Sequence, residues 1–176
     1  RLKDDGFKIG IVWQGNPNPN IDKGRSIPLR AFAPLGQIPG VRLISLQKTQ
    51  DLKQLTGLAD GMTVETLGDD FDVGPDAFLD SAAVMMTLDL IISSDTSLAH
   101  LAGALGRPVW IALKHVADWR WMMDRSDTPW YPTARLFRQN RRDDWDELFG
   151  RIASELSQLV IARDAARAAP PRGTPQ

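Results

Sequence analysis

The sequence predicts an α/β fold: a doubly wound, mostly parallel sheet with helices on both faces. Two observations carry this prediction. Short strand-like runs alternate with amphipathic helical runs along the 176 residues. Several of the short runs, VWIAL at Val109 to Leu113 among them, are apolar throughout. A strand apolar on both faces belongs in a parallel sheet covered on both sides, with right-handed crossovers between strands.

Taken in order, Phe7 to Trp13 (FKIGIVW) reads as the first strand, apolar and β-branched. A long polar loop, QGNPNPNIDKGRSIP, follows it. A loop of that length is usually functional or mobile. Leu29 to Ile38 is expected to be helical, with Pro34 limiting its regularity or marking its true start. Val41 to Leu46 is the second strand, Asp51 to Leu58 a short helix, and Met62 to Leu67 a weak third strand. Pro75 to Leu88 is predicted as a helix, its stripe formed by Phe78, Ala82 and Met85. Leu90 to Ser94 is the next strand. Ser97 to Leu105 is a helix with Leu98, Leu101, Ala102 and Leu105 on one face, ended by Gly106 and Pro108. Strands follow at Val109 to Leu113 and Ala134 to Phe137. A closing helix runs from Trp145 to roughly Arg163, with Leu148, Ile152, Leu156 and Leu159 along one side.

The chain is expected to be one domain over residues 1–163, followed by a disordered tail over residues 164–176 rich in Ala, Pro and Arg. The early first strand suits a domain cut from a longer chain. An apolar fraction of 43% suffices for an ordinary core. Basic and acidic residues number 21 and 22, a net charge of −1, which argues against a nucleic-acid or anionic-membrane partner. Cysteine is absent, which excludes disulfides and thiolate metal sites. No apolar run reaches the ~18 residues of a membrane span. The opening RLKDDGFK lacks the apolar core of a signal peptide, so the expected location is the cytoplasm.

In doubly wound sheets, ligands sit beyond the carboxyl ends of the strands. That rule selects the Gln14 loop, Gln47 and Lys48, Asp95 to Ser97, and the segment from Lys114. Asp95, Thr96 and Ser97 stand where a strand hands over to a helix. One reading is a helix cap, worth about 1 kcal/mol. The other is a phosphate seat, because a helix's first turn has unpaired N–H groups and about half a positive charge. Asp95 would repel a phosphate, so it either caps the turn or receives a sugar hydroxyl. His100, one turn in, is either a neutral ring bonded locally or a donor to the anion. Gly103 is expected to let the helix approach the sheet. Arg25 in the long loop offers a guanidinium fork for a diphosphate. It is preferred to Lys23 because the SIPL after it looks anchored.

Gln47 ends the second strand, where dinucleotide folds place an acidic residue on the ribose. The first turn reads WQGNPNPN rather than GxGxxG, and no GxxxxGK[ST] occurs, so nicotinamide, flavin and P-loop chemistry are not expected. Asp70 and Asp72 form a D-x-D, but nothing else in the sequence supports a metal there, and none is expected. Trp119, Arg120, Trp121, Trp130 and Tyr131 read as an aromatic lobe packed under the final helix, or as the side of a base or sugar pocket.

DLIISSDTSLAHLAGALGRPVWIAL, followed by DWRWMMDRSDTPWYPTARLFRQ, resembles the C-terminal domain of glycosyltransferase family 9, the heptosyltransferase-like family with the GT-B fold. Within it, the likeness is to the branch found behind tetratricopeptide repeats in bacterial proteins. GIVWQGNP, RSIPL and SLQK precede it in the expected order, so the resemblance covers roughly residues 7 to 160. It implies the donor half of a two-domain enzyme, whose partners are a nucleoside-diphosphate sugar, a hydroxyl acceptor on a glycan or protein, and an N-terminal half or repeat region of the same chain. Asp95, Thr96, Ser97 and His100 fall on the family's Asp-Thr-Gly-x-x-His motif, with Ser97 in place of the usual Gly. Arg25 falls where the family keeps a basic residue for the diphosphate, and Gln47 near the ribose position. The resemblance implies metal-independent sugar transfer with no cofactor beyond the donor substrate. No residue here is assigned as the catalytic base, so the isolated chain is expected to turn over poorly. Two alternatives remain open: a non-catalytic binding or scaffold module with a degenerate pocket, and a GT-B-like sugar-nucleotide epimerase.

Overall fold

The computed structural model describes residues 5–48, 54–58, 61–76 and 78–168. Among these residues six strands form one parallel sheet: β1 (Phe7–Val12), β2 (Val41–Ser45), β3 (Val64–Glu65), β4 (Leu90–Ser94), β5 (Val109–Leu113) and β6 (Ala134–Arg138). Their order is β3-β2-β1-β4-β5-β6, and every pairing is parallel. The expected doubly wound class holds, and the reason is visible in the burial. Every residue of β4 and of β5 is buried.

Each face of the sheet carries its own core. Phe7, Ile9, Ile11 and Trp13 point to one face, where a 3-10 turn (Leu29–Phe32), α2 (Ala33–Gly36) and α5 (Trp145–Ala168) cover them. Phe32 and Phe149 meet there with ring centroids 4.4 Å apart. Val12, Ile44, Ile91 and Ile111 point to the other face, beneath α3 (Leu79–Met85) and α4 (Ser97–Ala104). A short α1 (Pro19–Asp22) interrupts the long loop after β1. At the sheet's margin, Arg42 forks onto Glu65 at 2.7 and 2.8 Å and bonds Asp5, tying β3 and the leading segment to β2.

Several expectations need correction. The helix expected over Leu29 to Ile38 is a 3-10 turn running into one α-turn, because Pro34 enters at the start of the second piece. Of the helix expected over Asp51 to Leu58, residues 51–53 lie outside the described set and residues 54–57 form a 3-10 turn. The third strand shrinks to Val64–Glu65. α3 starts only at Leu79, since Phe78 adopts a left-handed conformation (φ 70°) and leaves the predicted stripe. The Asp72 carboxylate accepts the Ser81 hydroxyl at 2.6 Å, and Asp80 accepts the Asp72 amide at 3.1 Å. Those two bonds tie the preceding turn to the first turn of α3, so Ser81 joins the expected Met85 in facing inward.

On α5 the fourth buried position is Val160, not Leu159, because residues 148, 152, 156 and 160 follow a single i, i+4 row and Phe149 widens it. That helix continues to Ala168, beyond the expected end at Arg163, and residues 169–176 lie outside the described set. On α4 the buried face is Ala99, Ala102 and Gly103, while the leucines are only half-buried. Only small residues fit beneath this helix. Gly103 serves a different neighbour from the one expected: a Cβ there would lie 2.4 Å from Cγ of Tyr131. The aromatic segment therefore packs against α4, on the face opposite α5. Trp121 is fully buried within it, whereas Trp119 and Trp130 are exposed.

The ring contact makes Gly103 a test of this packing. Gly103→Ala gains up to about 1 kcal/mol of helix propensity but should lose about 1–3 kcal/mol to overpacking. Urea unfolding should show net destabilisation. In a Tyr131→Ala background the added methyl should cost little or nothing, the signature of a direct pair in a double-mutant cycle.

Candidate functional site

The strand order reverses between β1 and β4. After β1 the chain turns to the face covered by α2 and α5, and after β4 it turns to the face covered by α4. The two exits diverge and leave a crevice at the carboxyl ends, as doubly wound sheets do. A cleft of about 650 Å³ opens on the α4 side.

Its first wall is Gln14 to Asn16, directly after β1. Gln47, at the end of β2, shapes this wall: its Oε1 accepts the amides of Trp13 at 3.1 Å and Gln14 at 2.9 Å. The expected ribose residue therefore lines the cleft and also acts as a tether, its carbonyl oxygen engaged by the backbone it positions. Lys48 follows, with its Nζ donating to the Asp72 carbonyl at 3.2 Å.

The second wall is the start of α4. Thr96 occupies the N-cap position with extended backbone (φ −137°, ψ 171°), yet its side chain makes no bond to the helix amides. Its hydroxyl lies 3.3 Å from the Ser93 hydroxyl instead. The capping alternative thus fails for Thr96. Asp95 does not cap either; its Oδ1 lies 4.0 Å from Nε2 of His100. The amides of Ala99 and His100 reach the Thr96 carbonyl. Those of Ser97 and Leu98 have no partner among the described residues, and Thr96, Ser97 and Leu98 all line the cleft.

Gly15 lets the walls meet. A Cβ at residue 15 would lie 3.0 Å from the Thr96 methyl and 3.5 Å from Nη2 of Arg25. Arg25 thus brings its guanidinium to the rim of the cleft, half-buried and without an ion pair among the described residues. The anchoring read in SIPL is present: Ile27 is buried and its amide donates to the Trp13 carbonyl at 2.8 Å. Ser26 donates to Asp22 at 2.6 Å.

The third wall, made by residues between Asp69 and Gly74 together with Phe78, was not singled out as a site from sequence. Phe71, Val73 and Phe78 supply its apolar surface, and Val73 is 71% exposed. The signal was present in DDFDVGPD: a loop rich in Asp, Gly and Pro that nevertheless carries large apolar residues. Asp72 keeps Oδ1 buried without a partner among the described residues. No group of three His, Asp or Glu side chains among those residues is arranged to hold a metal ion.

His100 lies beside this cleft rather than in its lining. Its Nδ1 is 3.0 Å from the Tyr131 hydroxyl, and its ring stacks on Trp121 at 5.1 Å and 18°. Burial pushes its pKa below the ordinary imidazole value; Asp95 opposes this and Arg120 adds to it. The ring is held neutral inside an aromatic stack.

Residues 37–115 match the model of the family described as Glycosyltransferase family 9 (heptosyltransferase). This stretch resembles family 9, and the match spans less than half of the chain. The curated relative Protein FlbA of Caulobacter vibrioides is 28% identical over 161 residues, covering 89% of this chain and 26% of its own length. Among solved structures, E. coli ADP-heptose lps heptosyltransferase II superposes with a TM-score of 0.66 at 17% identity, covering 93% of this chain and 49% of that one. The family 9 glycosyl transferase of Veillonella parvula gives 0.61 at 13% identity, with coverages of 92% and 48%. At these identities the structural likeness is one of fold. The chain spans about a quarter of the curated relative and about half of each of these solved chains. The matched stretch runs from Gln37, just after α2, through β5 to His115, so it contains Gln47, Asp69 to Gly74, Phe78 and Asp95 to His100. β1, its loop and Arg25 lie outside the matched stretch and join the site only through the sheet.

The neutral state of His100 has a pH consequence. A histidine whose folded pKa is depressed leaves stability intact above its unfolded pKa of about 6.5 and erodes it as pH falls below that value, because only the unfolded state takes up the proton. Urea midpoints should therefore fall between pH 7.5 and 5.5. His100→Asn, though less stable at neutral pH, should lose this part of the slope.

Proposed function

We propose that the cleft binds a nucleoside-diphosphate sugar, and that the full-length protein transfers the sugar to a hydroxyl acceptor without a metal ion. The observation that carries this is the uncapped first turn of α4, open at the wall of the cleft, with the Arg25 guanidinium across Gly15. Two free amides, the helix dipole and an arginine fork form a seat for a diphosphate. The apolar surface of Phe71, Val73 and Phe78 suits a nucleobase. The family 9 match and the name of E. coli ADP-heptose heptosyltransferase II support a nucleotide sugar as donor.

In the transfer, the acceptor oxygen bonds the anomeric carbon as the bond from that carbon to the diphosphate oxygen breaks. The electron pair leaves with the diphosphate, and the acceptor proton passes to a base. The Thr96–Leu98 turn and Arg25 would stabilise the negative charge that gathers on the leaving group. Asp95 and His100, paired beside that turn, would orient the sugar end of the donor. Both the acceptor, a glycan or protein hydroxyl, and the base belong to the full-length protein in this reading. No helix among the described residues is long and apolar enough to cross a membrane, and the cytoplasm is the compartment this reading expects.

Engagement of the Gln47 oxygen by two backbone amides favours a second reading, a scaffold module whose pocket is closed to ribose. Calorimetric titration with ADP, UDP, GDP and dTDP decides between them. Binding of one diphosphate, weakened about tenfold or more by Arg25→Ala and measurably by Thr96→Val, supports the donor site. Equal affinity in wild type and both variants removes the diphosphate assignment, and no binding of any nucleotide leaves the scaffold.

A further inference from the structure

A second cleft, of about 450 Å³, opens on the far side of the β1 loop, at the carboxyl ends of β5 and β6. Lys23, Lys114, His115, Gln139, Arg142 and Asp143 line it. We propose that this cleft holds the phosphate or carboxylate of an acidic acceptor. Calling the occupant an acceptor rests on the transferase reading; its negative charge does not.

Charge is the first argument. Three permanent cations converge from three separate loops against a single acid, Asp143, although the whole chain is close to neutral. Lys114 is held in place: its Nζ donates to the Lys23 carbonyl at 2.8 Å, which leaves two ammonium donors for a ligand. The side chains of Lys23 and Arg142 make no ion pair or hydrogen bond among the described residues, so neither charge is neutralised by them.

Gln139 is the second, independent argument. It is only 2% exposed, and its Oε1 accepts the His115 amide at 3.1 Å. Its Nε2 is buried with no partner among the described residues. A buried donor without an acceptor is a costly feature, and an anion in the cleft that Gln139 lines would supply an acceptor once the side-chain amide turns toward it. His115 is oriented by the same residue: Nδ1 lies 3.0 Å from the Gln139 carbonyl, which can only accept, so Nδ1 carries a proton.

Position is the third. The loop after β1 places Lys23 in this cleft, and two residues later it places Arg25 at the rim of the first. The loop thus separates two anion seats at one end of the sheet. A donor diphosphate would lie on one side of it and an acidic acceptor group on the other.

The test is an NMR titration of the 176-residue protein with glucose 6-phosphate, glucuronate and uncharged glucose, followed on the His115 ring and Gln139 side-chain amide. The expected result is a saturable shift of both signals with at least one of the two acids and none with glucose. The stronger acid identifies phosphate or carboxylate. Lys114→Ala and Arg142→Ala should each weaken that binding about fivefold to tenfold, while Arg141→Ala, an exposed arginine outside the cleft, leaves it unchanged. The proposal is overturned by silence from both acids, by equal shifts with glucose, or by equal losses from Arg141→Ala and Arg142→Ala. ADP is titrated in parallel. ADP binding without acid binding sinks this proposal and spares the donor site; acid binding with no binding of ADP, UDP, GDP or dTDP does the reverse.

Discussion

The structure depends on the pairing of β1 with β2 on one side and β4 on the other. Both ladders are parallel, and the chain leaves β1 and β4 toward opposite faces of the sheet. Nothing can fill the wedge between two diverging exits except loops and whatever they bind. Gln47 then sets the width of that wedge. Through one carbonyl oxygen it gathers the amides of Trp13 and Gln14, and so holds the first loop against the end of β2. A buried side chain satisfying two backbone donors is a rigid support, and Gly15, Thr96 and Arg25 take their places relative to it.

The start of α4 shows how local rules bend at a site. Asp, Thr and Ser are strong capping residues, and three in a row would ordinarily close the first turn. Here Thr96 turns back toward Ser93, and Asp95 turns toward His100. Two amides are left open on the cleft side. Behind them, the small face of α4 lets Tyr131 press against Gly103, and His100 is wedged between Tyr131 and Trp121. The aromatic segment is thus a buttress for the helix end on the side away from the cleft, which explains why its most buried ring is the one stacked on the histidine.

The β1 loop shows the opposite economy. It has little regular structure beyond α1, yet Ile27 and Ser26 pin its far end to Trp13 and Asp22. With both ends fixed, the two basic residues between them, Lys23 and Arg25, are directed to different clefts. One short segment thereby sends one cation toward each of the two clefts at the carboxyl edge of the sheet.

By itself the sequence determined the class of fold, the position of nearly every strand, and the sheet end where the main cleft opens, because runs apolar on both faces have only one way to be buried. It also singled out Arg25, Gln47 and Thr96 as residues of that end, since strand exits can be read from hydrophobic pattern. It could not locate the third wall of the cleft, the stacking of His100 or the true buried face of α4. Those depend on which distant element arrives opposite: Ser81 reaching back to Asp72, Tyr131 against Gly103, Trp121 on His100. Periodicity reports which side of a helix avoids water, but how closely a neighbour can approach is decided only when both are packed in three dimensions.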